Sequence, residues 1–186
     1  MKLLIMGPPG VGKGTQASLL KKRLNIIHLS TGDILRDEIS KNSKIGHKAQ
    51  SYMNEGKLVP DQVLLDIIAD RIVKEDCDNG FLLDGFPRTL KQAVGLDRIL
   101  DSIKQLLDFA ISLTANEEEL ITRLINRGAE LGRSDDTPEV IRNRQKVYWA
   151  NTAPLLDFYK DKHILREVDG LGDIDIITNR ILKSLK

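Results

Sequence analysis

Residues 7–15 read Gly-Pro-Pro-Gly-Val-Gly-Lys-Gly-Thr and follow directly on the apolar run 3–6. Gly7 and Gly12 are separated by four residues, and Lys13 comes next. The glycines let the backbone turn tightly and aim several N–H groups inward at one anion. A helix starting near Lys13 points its positive end at the same place, and Lys13 can reach the outer phosphates of a polyphosphate. The usual form of such a loop puts Ser or Thr directly after the lysine. Here position 14 is Gly, and the hydroxyl arrives at Thr15. A strand before and a helix after are what separate a phosphate loop from a plain Gly-Pro turn.

Further blocks carry chemistry. The chain reads Ser30-Thr31-Gly32-Asp33-Ile34-Leu35-Arg36, then Gly56-Lys57-Leu58-Val59-Pro60, then Asp84-Gly85-Phe86-Pro87-Arg88-Thr89, with Gln92 four residues after Arg88. Arg123 and Arg127 are spaced i, i+4 and share a helix face. Arg133 and Arg144 follow. Arginine suits phosphate because its planar fork grips oxygens in pairs and never deprotonates. Taken singly, each block has a plainer account. Thr31-Gly32-Asp33 can be only a helix cap, residues 85–88 only a turn leaving a strand, and Gln92 only a solvated helix residue. The arginines can be a solvated face paired with Glu130, Asp135, Asp136 and Glu139, which is the reading taken here for Arg142.

The elements that must position these residues alternate. Runs 3–6, 26–29, 81–83, 109–113 and 164–168 are short and apolar and predict strands. Between them lie helical patterns, such as Ala17-Leu20-Lys21-Leu24 and Val63-Ile67-Ile68-Ile72. Asn116 with Glu119 resembles a capping pair before Leu120, Leu124 and Ile125. Thr137-Pro138 starts another helix, and Asp173 caps the last one. The alternation predicts an α/β protein with a parallel sheet covered on both faces. Residues 31–59 are polar, mostly helical and inserted between the second and third strands. Residues 128–136 form a short charged break between two helices. Both are placed to cover the carboxyl edge of the sheet, where ligands of open α/β folds bind. Such covers serve a reaction that must exclude water.

The 186 residues suffice for one domain with a real core. With 28 basic against 27 acidic residues, the net charge is +1, so nothing global suggests nucleic acid or membrane binding and any anion site is made locally. The single Cys77 excludes an internal disulfide and a cysteine-cluster zinc site, and fits a reducing compartment. The N-terminus is too short before Gly7 for a signal peptide, and no run approaches a membrane span. His28, His47 and His163 share no ligand spacing. Tyr148 and Trp149 are read as packing residues, and Cys77 lies beside a turn with no base near it in sequence.

In order and in combination, these blocks closely resemble the adenylate kinase family of nucleoside monophosphate kinases, from residue 2 to about 185, and Gly14 is what that family uses. The resemblance implies a single P-loop NTPase-type α/β domain, residues 1–186. Its five-stranded parallel sheet is flanked by helices, with a helical NMP-binding insert at 30–59 and a short lid at 128–136. It implies the reaction ATP + AMP = 2 ADP with Mg²⁺, in a cytoplasmic monomer serving adenine nucleotide homeostasis. Gly10, Val11, Gly12, Lys13, Gly14 and Thr15 would hold the ATP phosphates, and Gly172 would touch the ATP base by backbone. Thr31, Arg36, Lys57, Leu58, Val59, Gly85, Phe86, Pro87 and Arg88 would bind AMP, with Gln92 reading the adenine edge. Arg123 and Arg127 would meet ATP and the transferring phosphate, and Arg133 and Arg144 the phosphates from the lid and the helix after it. Lys13, Arg88 and these four arginines form the catalytic set. Asp33 and Asp84 would hold waters around Mg²⁺. Nine residues separate Arg127 from Thr137, with no cysteine among them, so the lid is the short form without structural zinc.

Two rival readings remain open on sequence alone. A UMP/CMP kinase shares most motifs, although Thr31 and Gln92 argue against it. A non-catalytic nucleotide-binding module needs the loop but has no use for a second arginine-lined site.

Overall fold

The structure is a computed structural model that describes residues 1–116, 120, 123–124 and 137–186. Arg127, Arg133, the 128–136 segment, Glu119 and Ile125 lie outside the described residues.

Five strands form one parallel sheet in the order β2-β3-β1-β4-β5: β1 Lys2–Met6, β2 Ile27–Ser30, β3 Phe81–Asp84, β4 Phe109–Thr114 and β5 Leu165–Asp169. The register pairs Ile5 with Asp84 on one side of β1 and with Ile111 on the other. The phosphate loop therefore leaves the middle of the sheet, and the Asp84 turn leaves the strand beside it.

Successive side chains of a strand point to opposite faces, and the two halves of the core follow that alternation. Leu4, Met6, Leu29, Phe81 and Leu83 face helices α4 (Asp61–Ile72), α5 (Leu90–Ser102) and, further on, α7 (Leu155–Asp161). Leu3, Ile5, Leu82, Ile111 and Leu113 face α1 (Lys13–Leu24) and α8 (Ile174–Ser184). β3 is buried along its whole length, as its unbroken apolar run requires. The buried stripe of α4 is Leu64-Ile68-Ile72, one position round from the predicted face, with Val63 and Ile67 half-buried at its edge.

Between β2 and α4 run α2 (Thr31–Ser40) and α3 (Lys44–Asn54). Gly46 packs so closely on α2 that an added Cβ would lie 2.2 Å from the Glu38 carbonyl oxygen. The caps refine the predicted boundaries. Ser30, not Thr31, caps α2, its hydroxyl accepting from the Asp33 N–H at 3.2 Å, and Thr31 is the first helical residue. Thr137 caps α6 (Pro138–Val147) with proline in its first turn. Asp173 stands at the N-cap of α8, but its side chain makes no capping bond there. A π-helix, Tyr148–Thr152, follows α6. No helix among the described residues is long and apolar enough to cross a membrane.

Candidate active site

A cleft of about 650 Å³ opens at the carboxyl edge of the sheet, over β1 and β3. That volume suits a nucleotide-sized ligand. Its floor is the loop after β1. Gly12 adopts φ +95°, a left-handed conformation, and leads straight into α1, whose N-terminus has no side-chain cap. The first N–H groups of α1 are thus left for an anion in the cleft. Gly10, at φ +88°, is held against the chain: an added Cβ would lie 2.6 Å from the Leu120 carbonyl oxygen. At Gly12, no described atom lies within 4 Å of such a Cβ. Lys13 folds back over the loop, and its Nζ donates to the carbonyls of Gly7 at 2.8 Å and Pro8 at 3.0 Å.

One wall is the turn after β3. Gly85 has φ +78°, and the Phe86–Pro87 peptide is cis. Arg88 is fastened at three points: its Nε donates to the Gly85 carbonyl at 2.7 Å, its N–H donates to Gln92 Oε1 at 2.7 Å, and its carbonyl accepts from Thr152 Oγ1 at 2.9 Å. Thr31 Oγ1 donates to the Gly85 carbonyl at 3.0 Å. Arg36 bonds Asp33 through Nη2 at 2.5 Å. Asp84 meets His28 Nε2 at 3.3 Å, and its Oδ2 lies 3.8 Å from where a Gly14 Cβ would stand.

A further part of the lining comes from the second half of the chain. Arg144 of α6 and Arg123 line the cleft, and Arg123 Nη1 donates to the Gly170 carbonyl at 3.4 Å. Gly172, at φ +114°, lines it as well. Tyr148 is buried on the same wall, and burial pushes its phenol up to about 12. It is therefore a neutral hydroxyl at any ordinary pH. Trp149, expected to pack, is instead 58% exposed and stands edge-on to Tyr148.

A smaller cavity of about 60 Å³ adjoins the cleft, lined by Thr31, Leu35, Arg36, Lys57, Leu58, Val59, Leu64, Arg88 and Arg144. Gly56, which lines it, packs closely on Val140 and Arg144, and the neighbouring Asn143 Nδ2 donates to the Glu55 carbonyl at 2.6 Å. The insert therefore touches α6.

Most of the residues singled out in the sequence thus converge. Gly10 to Thr15, Asp33, Arg36, Leu58, Asp84, Gly85, Pro87, Arg88, Arg123, Arg144 and Gly172 line the main cleft, and Thr31, Lys57 and Val59 line the smaller one. Phe86 and Gln92 line neither and are fully buried. Lys57 pairs with Glu55 at 2.5 Å on the surface. Sequence reasoning passed over Gln145, which donates to the Pro9 carbonyl at 3.2 Å and ties α6 to the loop. It also passed over Thr152 and Asp61. No local pattern marks such contacts, because their partners lie far away in the chain.

Among the described residues, five cationic side chains (Lys13, Arg36, Arg88, Arg123 and Arg144) and two carboxylates (Asp33 and Asp84) line the cleft of a protein whose net charge is only +1. The charge is local and favours a polyanion. A phosphate loop at the centre of a parallel sheet, in a cleft shared with arginines from both halves of the chain, defines a P-loop nucleotide-binding protein. A sequence model of the family described as adenylate kinase matches residues 5–164. The adenylate kinase of Leptospira biflexa is 50% identical over 184 residues, 99% of each chain. That of Kocuria rhizophila is 48% identical over 100% of this chain and 98% of its own, and that of Bifidobacterium longum is 48% identical over the whole of both. The chain belongs to the adenylate kinase family, a family of phosphotransferases.

Proposed function

We propose that the chain catalyses the reaction of its family, ATP + AMP = 2 ADP, in the cleft between the loop and the two arginine walls. The observation that carries the reading is the convergence of Lys13, Arg36, Arg88, Arg123 and Arg144 on one cavity. Phosphoryl transfer between two polyanions needs little covalent help from the protein. It needs the two phosphates held in line and the charge at the transferring group neutralised.

In this reading the loop N–H groups from Gly10 to Thr15 and Lys13 hold the ATP phosphates, with Gly172 against the ATP base. Thr31, Arg36 and residues 57–59 bind AMP from the 30–59 insert, and the 85–88 turn presents Arg88 to the AMP phosphate. Gln92 is assigned to the adenine edge. Arg123 and Arg144 flank the transferring group, joined by Arg127 and by Arg133 of the 128–136 lid.

Mg²⁺ accompanies ATP in this family. Asp84 and Asp33 bring hard carboxylate oxygens to the cleft, the donor type that suits an ion keeping most of its waters. Bound there with ATP, the ion would neutralise phosphate charge. A cytoplasmic monomer that interconverts adenine nucleotides completes the proposal; the lone Cys77, buried and free, fits a reducing compartment.

The test is a coupled ADP-production assay with MgATP and a panel of AMP, dAMP, GMP, CMP and UMP. Turnover confined to adenine monophosphates and abolished by EDTA is expected. Preference for CMP or UMP would overturn the AMP assignment, and ATP binding without turnover would overturn the enzymatic one.

A further inference from the structure

Gln16 stands four residues beyond Gly12 on α1 and lines the cleft, yet it is 2% exposed. Its Nε2 donates to the Ile174 carbonyl at 3.1 Å, and its Oε1 accepts from Thr178 Oγ1 at 2.8 Å. Thr178 is equally buried, and the same hydroxyl can turn to the Ile174 carbonyl at 2.9 Å. These polar groups sit in an apolar interface, where Ala17 and Leu20 of α1 join Ile177 and Ile181 of α8 in one core cluster.

Helix α8 carries the loop before it. Arg180 Nη1 donates to the Leu171 carbonyl at 2.6 Å and to the Asp169 carbonyl at 3.1 Å. The Gly170 N–H donates to the Thr114 carbonyl at 2.7 Å and anchors the start of the loop to β4. Gly172 and Ile174, at its far end, line the same cleft as the phosphate loop. Apolar packing between two helices is non-directional and tolerates a slide along their axes. A hydrogen bond is directional and does not. A buried polar pair in such an interface adds little stability over an apolar pair of the same shape, and its best-attested use is to fix register. The Gln16 amide thus sets how far the 172–174 backbone lies from the first turn of α1.

We infer that Gln16 and Thr178 are positioning residues for the phosphoryl donor: they fix the span between the phosphate loop and the 172–174 backbone, and with it the fit of a whole nucleoside triphosphate. The inference rests on the placing of the ATP base against Gly172 in the proposed function. Neither side chain needs to touch the nucleotide. A ligand held at both ends loses affinity when the span is no longer preset, because the ordering cost then falls on binding. A ligand held by the phosphate loop alone does not sense the change.

The test measures dissociation constants for MgATP and for magnesium tripolyphosphate, which keeps the phosphate chain and lacks the nucleoside. The proteins are the unaltered chain, the double variant Gln16→Met with Thr178→Val, Thr178→Ser and Ile174→Ala. Both constants are read well below every melting midpoint, so a shift in stability does not enter their ratio. The double variant replaces both polar partners with apolar groups of similar size, and its midpoint should hold. Its MgATP affinity should nonetheless fall about three- to tenfold, with tripolyphosphate affinity unchanged. Thr178→Ser keeps the hydroxyl and should keep both constants. A pair that only supports the fold would leave the ratio as it was, and an unaltered ratio in the double variant would overturn the inference. So would an equal loss for both ligands, which would mean that the pair steadies the phosphate loop itself. Ile174→Ala trims apolar surface from the cleft where the base is placed and should lower the ratio too. If it leaves the ratio intact, the placing of the base is wrong. If it lowers the ratio and the double variant does not, only the role of Gln16 and Thr178 falls.

Discussion

Lys13→Met separates two kinds of work done by one ammonium group. Methionine keeps the length of the stem and removes the charge. In the structure the half-buried Nζ donates to the carbonyls of Gly7 and Pro8. A hydrogen bond to a charged partner contributes about 1.5–3 kcal/mol. Solvent access and the competing water bonds reduce that, so the pair should hold the loop by about 1–2 kcal/mol in total. In the proposed reaction the same charge would face the transferring phosphoryl group, where loss of one preorganised electrostatic partner costs about 3–4 kcal/mol, or roughly two to three orders of magnitude in kcat. Urea unfolding should show a midpoint lowered by the smaller amount with an unchanged slope. ADP production at saturating substrates should fall by the larger factor in protein that is demonstrably folded. Near-normal turnover would refute the assignment of the loop. A rate loss no greater than the loss of folded protein would refute the charge argument and leave Lys13 as a brace for the loop.

The loop glycines should differ in kind. Gly10→Ala combines a left-handed backbone with a Cβ 2.6 Å from the Leu120 carbonyl and should cost about 2–5 kcal/mol. Gly12→Ala meets no described atom within 4 Å and should cost only the backbone term of about 1–2 kcal/mol; equal losses in thermal melts would contradict the close approach at Gly10. Burial holds the Tyr148 phenol protonated up to about 12 in the folded state, against 10 ordinarily. Its contribution is therefore whole below pH 10 and is lost as the pH rises to about 12. Tyr148→Phe should flatten the alkaline limb of the stability curve in that window, and an unaltered limb would show that another group governs it.

The sheet was legible because strands buried on both faces are unbroken apolar runs, and residues 81–83 and 109–113 read that way without ambiguity. The phosphate loop was legible because its geometry needs particular residues at particular spacings, and Gly12 and Lys13 stand where the pattern puts them. What escaped depends on residues far apart in the chain. Gln16 looks like a surface residue of α1, yet it is 2% exposed, donating to the Ile174 carbonyl and accepting from Thr178. Gln92 was expected at a base edge, and the structure adds that its amide is already committed to Arg88 and Asp61. Trp149, expected to pack, stands in the π-helix Tyr148–Thr152 and is exposed. Ser30, not Thr31, caps α2, and the Thr31 hydroxyl donates instead to the Gly85 carbonyl.

The Asn143–Glu55 bond makes the two sides of the cleft answerable to each other. An occupant that draws the insert toward α6 strengthens the bond, and an occupant that steadies α6 makes it easier to form. Whatever factor the first adds to the affinity of the second, the second must return to the first. A single exposed, neutral hydrogen bond carries about 0.5–1.5 kcal/mol, so the mutual reinforcement passing through this contact cannot exceed about tenfold. Dissociation constants for AMP with and without a non-reacting ATP analogue, in the unaltered protein and in Asn143→Ala, would measure it. Reinforcement that survives Asn143→Ala undiminished would mean that the two substrates sense each other by another route.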